Sequence, residues 1–138
     1  MYKKYYVEMI TPERTFFKGD IKALILETAT GEIGILAGHL PLAVAVKPGR
    51  IRFLHEDKWK EAACSEGFLE VRPDATVFLA HTLEWPEEIQ LAEVRRAIEI
   101  EEERLRQVKS LREYKMSKAN LARALARLRV RSSNIDQK

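Results

Sequence analysis

Cysteine is nearly absent from this sequence of 138 residues: only Cys64 occurs. A single thiol excludes an intramolecular disulfide and fits a reducing compartment. Lying in Ala62-Ala63-Cys64-Ser65, it reads as a small buried residue and not as a nucleophile. Histidine is also scarce. His39, His55 and His81 are far apart, with no i, i+4 pair and no cysteine nearby, so no metal site is expected. No apolar run approaches the roughly 20 residues that span a bilayer. Met1-Tyr-Lys-Lys has no apolar segment after it, so no secretory leader is read there. The phosphate-binding patterns G-x-x-x-x-G-K-[ST] and G-x-G-x-x-G are missing, as is the G-x-S-x-G elbow of a serine hydrolase. With no catalytic apparatus visible, the chain reads as a non-enzyme.

What is present is a globular composition, 46% hydrophobic and 33% charged, enough for one ordinary domain or two very small ones. The net charge of +3 conceals an asymmetry. Residues 1–86 carry 11 basic and 12 acidic side chains, whereas residues 104–131 carry 10 basic and one acidic. A segment so rich in positive charge calls for an acidic partner such as nucleic acid, an acidic protein surface, anionic lipid or a phosphate ligand.

Glycine and proline are concentrated in one place. The stretch Gly31–Gly49 holds four of the six glycines and two of the five prolines. Ile33, Ile35 and Leu36, then Leu42, Val44 and Val46, mark short strands between tight turns. Strand patterns also cover Tyr5–Ile10, Ile21–Glu27, Arg50–Leu54, Trp59–Ala63, Gly67–Arg72 and Ala75–Ala80. Turns are expected at Thr11–Arg14, Gly19-Asp20, His55–Lys58 and Pro73-Asp74. Strands recurring every 8–12 residues with turn signals between them predict an all-β sandwich or barrel for residues 1–86.

At Pro86 the period changes. Pro86 with Glu87 and Glu88 suits the first turn of a helix. Leu91, Val94, Ile98, Leu105 and Val108 form an apolar stripe, which Glu101 interrupts. This helix is expected to end near Ser110, with Leu111–Met116 as a loop and Ser117 as the N-cap of a second helix. The second helix carries Leu121, Leu125 and Leu128 on one face and Arg123, Arg127 and Arg131 on another, and ends at Ser132-Ser133-Asn134. Residues 87–138 are thus read as an antiparallel helical hairpin. With so few apolar side chains, the pair needs the β-domain or a partner to dock on, which makes it a natural two-state element.

The Gly31–Gly49 stretch resembles the signature of epsilon subunits of F-type ATP synthases. Thr11-Pro12-Glu13, Phe17-Lys18-Gly19, Ser65–Val71, Val77–Ala80 with Glu84, and Leu121–Val130 match the family in order and at family-like spacing, over nearly the whole chain. The resemblance implies an α+β protein: an N-terminal β-sandwich on the gamma subunit and c-ring, coupling catalysis to proton or sodium flow. It implies a regulatory C-terminal hairpin that inhibits ATP hydrolysis by extending toward an acidic segment of the beta subunit. The protein would be peripheral to the membrane, on the cytoplasmic face of a bacterial cell, and would have no nucleic-acid partner. Glu32 and His39 would face partners, as would Arg123, Arg127 and Arg131. On residues alone, Glu32 reads as a solvated turn carboxylate and His39 as a structural hydrogen-bonding group.

No cofactor is required, but some relatives bind ATP on the folded hairpin. Arg123 and Arg127 match two arginines used there. The I/L-D-x-x-R-A motif of the first helix meets Leu91-Ala92-Glu93-Val94-Arg95-Arg96-Ala97. One register offers Ala92 and Arg95, the other Glu93 and Arg96, and neither restores the aspartate. ATP is therefore expected as a weak regulatory ligand of Glu93, Arg96, Arg123 and Arg127. A small nucleic-acid-binding module with a basic helical tail is the alternative. Against it, Tyr114 is the tail's one aromatic for stacking, and no reading motif is present.

Overall fold

The structure, a computed structural model, describes residues 3–136. Ten strands come first: β1 (Tyr5–Ile10), β2 (Thr15–Ile21), β3 (Ala23–Thr28), β4 (Gly31–Ile35), β5 (Leu42–Val46), β6 (Gly49–His55), β7 (Lys58–Cys64), β8 (Gly67–Val71), β9 (Thr76–Ala80) and β10 (Leu83–Glu84). A 3-10 turn at Pro86–Glu88 leads to α1 (Leu91–Arg106) and α2 (Leu111–Asp136). The first two and last two residues of the ranges read from the sequence lie outside the described residues.

The strands hydrogen-bond in the order β10-β7-β6-β3-β5-β8-β9-β1-β2, with β4 added on β3. All neighbours are antiparallel except β1 and β9. The ladder folds over on itself as a sandwich, because apolar residues from its strands share one core. Val7, Met9, Leu24, Leu26, Ile51, Phe53, Leu69 and Phe78 lie in that core with no exposed surface. Trp85 closes its end by stacking on Phe16, with ring centroids 4.2 Å apart.

Two local features hold the sheet in register. The β6–β7 turn places Glu56 and Asp57 at φ 52° and 61°, the geometry that matches the twist of a two-residue hairpin. Lys22 Nζ donates to Asp57 Oδ1 at 2.5 Å and holds that carboxyl below its usual range. At the start of β8, Gly67 leaves no room for a side chain. A Cβ there would stand 2.5 Å from the Leu79 carbonyl oxygen and 2.6 Å from the Phe78 ring.

Several elements differ from the sequence reading. The turn expected at Gly19-Asp20 is the interior of β2: Gly19, at φ 153°, lies opposite Val7 in the ladder. Ile21 accordingly ends β2, and the next strand starts at Ala23. Pro86 opens a separate 3-10 turn, in which Glu88 Oε1 accepts from the Trp85 amide at 2.8 Å. The first long helix stops at Arg106, where the Gln107 amide tightens onto the Arg104 carbonyl. Leu111–Met116 is helical, not a loop, because Ser110 supplies the cap: its Oγ accepts from the Glu113 amide at 3.1 Å. Glu113 in turn accepts from the Lys109 amide at 3.0 Å, one residue before the cap, so the Ser110-x-x-Glu113 pair covers two amides at the start of the helix. Ser117 therefore lies inside α2, buried, and α2 continues past Ser132-Ser133-Asn134 to Asp136. The buried residues of α2 fall on two faces, Ser117 and Ala124 on one and Ala126 and Val130 on the opposite one, because α2 packs against both α1 and the sheet, while Leu125 is 47% exposed.

Gly67→Ala is expected to cost about 1–3 kcal/mol, since the strand must shift to relieve overpacking. The urea midpoint of the variant checks this. Cys64 is buried and donates to the Lys47 carbonyl at 3.6 Å; burial pushes its thiol up to about 12. It should therefore resist a thiol reagent at pH 8 in the native protein and react once denaturant is added. Rapid labelling of the native chain would contradict this packing.

Candidate functional site

The site lies where the hairpin meets the sandwich. Ile89, Val94 and Val130 pack on Ala63 of β7, with Ile98 and Leu128 at the margin. Ala63 is one of the outward-facing residues of β7, and this second small core covers it. α2 therefore rests on β6, β7 and the 3-10 turn. The apolar contact is small, and charge surrounds it.

Three arginines of α2 reach carboxylates of the β-domain. Arg123 Nε donates to Glu66 Oε2 at 2.9 Å, and its Nη2 lies 2.6 Å from Oε1. Arg127 Nη2 donates to Glu84 Oε2 at 3.0 Å. Its Nε lies 2.7 Å from Oε1 but off the hydrogen-bond axis, so that contact is an ion pair only. Arg129 Nη1 meets Glu27 Oε1 at 3.3 Å. The guanidinium fork suits a carboxylate. The Arg127–Glu84 pair is the most sheltered of the three, its side chains 24% and 25% exposed. The more exposed pairs add only about 0–1 kcal/mol each.

Below the arginines opens a cleft of about 730 Å³, lined among others by Arg14, His81, Glu84, Asn120, Arg123 and Arg127. Arg14 Nη2 donates to Glu88 Oε1 at 2.8 Å and to the Leu83 carbonyl at 3.0 Å. That guanidinium holds the Glu88 carboxyl below the usual carboxylate range. The cleft thus carries both signs. An anionic ligand would have to exchange for Glu66 and Glu84 on Arg123 and Arg127.

The residues singled out in the sequence are only partly gathered here. Arg123 and Arg127 line the cleft. Glu93 stands at its margin, 3.5 Å from Arg127 Nη1. Arg96 is exposed on α1 and is not among the described lining residues. Arg131 is half-buried one turn beyond Arg127, its Nε without a hydrogen-bond partner among the described residues. Glu32 and His39 belong to other surfaces. Glu32, at the β3–β4 hairpin, accepts from Arg52 at 3.1 Å. The His39 ring Nδ1 lies 2.7 Å from the Leu40 carbonyl oxygen.

Sequence reasoning met Glu27 only within a strand pattern, and Glu66, Glu84 and Arg129 only within stretches that resemble the family; it missed their part in pairing. Their pairings span 43 to 102 residues, so no local spacing shows them. The available signal was the surplus of arginine itself, whose acidic counterpart lies partly within the same chain. Among the described residues no three His, Cys, Asp or Glu side chains converge as a metal site would require.

Comparison with known proteins bears on this arrangement. The model of the ATP synthase Delta/Epsilon chain beta-sandwich domain matches residues 4–86. An ATP synthase epsilon chain of Caldanaerobacter subterraneus subsp. tengcongensis is 44% identical over 133 residues, 96% of each chain. That of Ruminiclostridium cellulolyticum is 43% identical over 124 residues, 90% of this chain and 92% of its own. A chain in the cryo-EM structure of the Euglena gracilis mitochondrial ATP synthase, OSCP/F1/c-ring, superposes with a TM-score of 0.79. It is 18% identical and is covered over 81% of its length, against 96% of this chain, which shows a shared fold. Since the sandwich matches the family model and the likeness to whole epsilon chains continues through the docked hairpin, this chain belongs to the ATP synthase epsilon chain family.

Proposed function

We propose that the protein is a non-catalytic epsilon subunit of the ATP synthase central stalk whose hairpin inhibits ATP hydrolysis when it leaves the sandwich. The β-domain binds the gamma subunit and c-ring, with Glu32 and His39 on partner-facing turns, and couples catalysis to ion translocation. The released α2 offers Arg123, Arg127 and Arg131 to an acidic segment of the beta subunit. One observation carries this reading: Arg123, Arg127 and Arg129 of α2 are held by Glu66, Glu84 and Glu27 of the same chain, through contacts that an acidic partner can replace in kind. Charge pairs near a surface guide such an exchange more than they clamp it.

Membrane attachment is through the complex, on the cytoplasmic face of a bacterial cell; among the described residues no helix is long and apolar enough to cross a bilayer. ATP, entering the cleft and displacing Glu66 and Glu84, acts as a weak ligand that favours the folded hairpin. Glu93, beside Arg127, is the α1 residue best placed to respond.

The test is ATP hydrolysis by a matching core of alpha, beta and gamma subunits. The full chain should inhibit, whereas residues 1–88 should bind without inhibiting. The cut follows Glu88 because that residue ties Trp85 to Arg14. Two variants with opposite signs refine the reading. Replacing Arg123, Arg127 and Arg131 by Ala should weaken inhibition up to about tenfold, since roughly 1.4 kcal/mol of pairing is lost. Glu66→Gln with Glu84→Gln leaves the arginines intact and frees the hairpin, so inhibition should strengthen. Unchanged inhibition in both variants would sink the electrostatic account.

A further inference from the structure

The hairpin is built around one buried charge. Glu101 lies three residues after Ile98 and four before Leu105, on the inner face of α1, and is 7% exposed. Its carboxylate is met by three donors. Ser117 Oγ donates to Oε2 at 2.7 Å; Arg104 Nη1 and Asn120 Nδ2 approach Oε1 at 2.8 and 3.4 Å. Ser117 Oγ also lies 3.3 Å from the Glu101 carbonyl oxygen, and Ser117 itself is 5% exposed. Asn120 then accepts from Arg123 Nη1 at 2.7 Å, and Arg123 grips Glu66. Polar contacts thus run unbroken from the centre of the hairpin to the β-domain.

The node also divides the hairpin. On the sandwich side, Val94 and Val130 have no exposed surface. On the tip side, the helices part around a cleft of about 320 Å³, edged by Arg104, Gln107, Val108, Glu113 and Met116. Leu111 and Met116 are 67% and 58% exposed there. An apolar residue in place of Glu101 would continue the stripe. Buried ionic contacts are often replaceable by apolar groups of similar volume with a gain in stability, whereas removing one partner alone is costly. A carboxylate at this point therefore gives two properties together. It accepts only one alignment of α1 against α2, and it recovers its hydration when the helices separate.

We propose that Glu101, Ser117 and Asn120 form a polar latch that sets the register of the closed hairpin and keeps it openable, making this node its point of release. Its effect on inhibition rests on the hairpin switch proposed above; its effect on opening does not.

Hydrogen exchange of the full chain, followed by peptide mass spectrometry, tests the latch. Ser117→Ala takes away the closest donor and should speed exchange in α1 and in residues 111–120 about tenfold. Glu101→Met together with Ser117→Ala replaces the node by an apolar pair. It should slow exchange there at least about tenfold below the wild type, about 1.4 kcal/mol. Peptides of β3 and β6 should be unchanged in both, which shows that the fold persists. Exchange in the double variant as fast as wild type, or faster, would overturn the latch and leave Glu101 an ordinary stabilising contact. The same double variant should lose inhibition of the catalytic core. If exchange slows while inhibition persists, the latch stands and the hairpin switch falls.

Discussion

A small apolar contact, Val94 and Val130 against Ala63, decides whether this chain is one body or two. The sandwich has its own core, in which aliphatic and aromatic side chains of its strands are buried together. The hairpin is different. Its helices are charged on most faces, and among their described residues only Val94, Ala124, Ala126 and Val130 are buried apolar ones. Closing the hairpin without the sheet would fix many side chains for little burial. Docking on β7 supplies the missing partner surface. The arrangement of the C-terminal third therefore depends on one patch of the N-terminal domain.

Charge then determines how firmly that patch is held. Three arginine–carboxylate pairs border the contact, and most of these side chains remain partly open to water. Pairs of this kind orient surfaces without locking them. The helices are joined to one another partly through the Glu101 carboxylate, which accepts from Ser117 and Asn120. The polar contacts of the hairpin are thus ones that another charged or polar group can replace. Such contacts give the hairpin a physical route to two states separated by a modest free energy, as the inhibitory role proposed above requires.

Much of this was legible beforehand, and the exceptions share a cause. Alternating Ile51 and Phe53, and the turn chemistry around them, announced strands that the structure contains. The change of period at Pro86 announced helices. Gly19-Asp20 failed as a turn because a glycine in a paired strand carries the same local signal as one in a bend. Ser117 failed as a cap because Ser110-x-x-Glu113 lay seven residues upstream and was stronger. Leu125 failed as a core residue because what α2 buries is set by its neighbours on two sides, α1 and the sheet, not by the helix's own periodicity.

The sequence by itself determined the class of fold, the division into sandwich and hairpin, and the surplus of positive charge on the last helix. These follow from patterns of period two and 3.6 and from composition, which are local properties. Only the tertiary structure decided which carboxylates answer the arginines, and that Glu101 is engaged instead of interrupting a stripe. Glu27 and Arg129 are 102 residues apart, and Glu66 and Arg123 are 57 apart. Contacts of that range are created by the folding of the sheet and the docking of the hairpin, and nothing in the spacing of the residues encodes them.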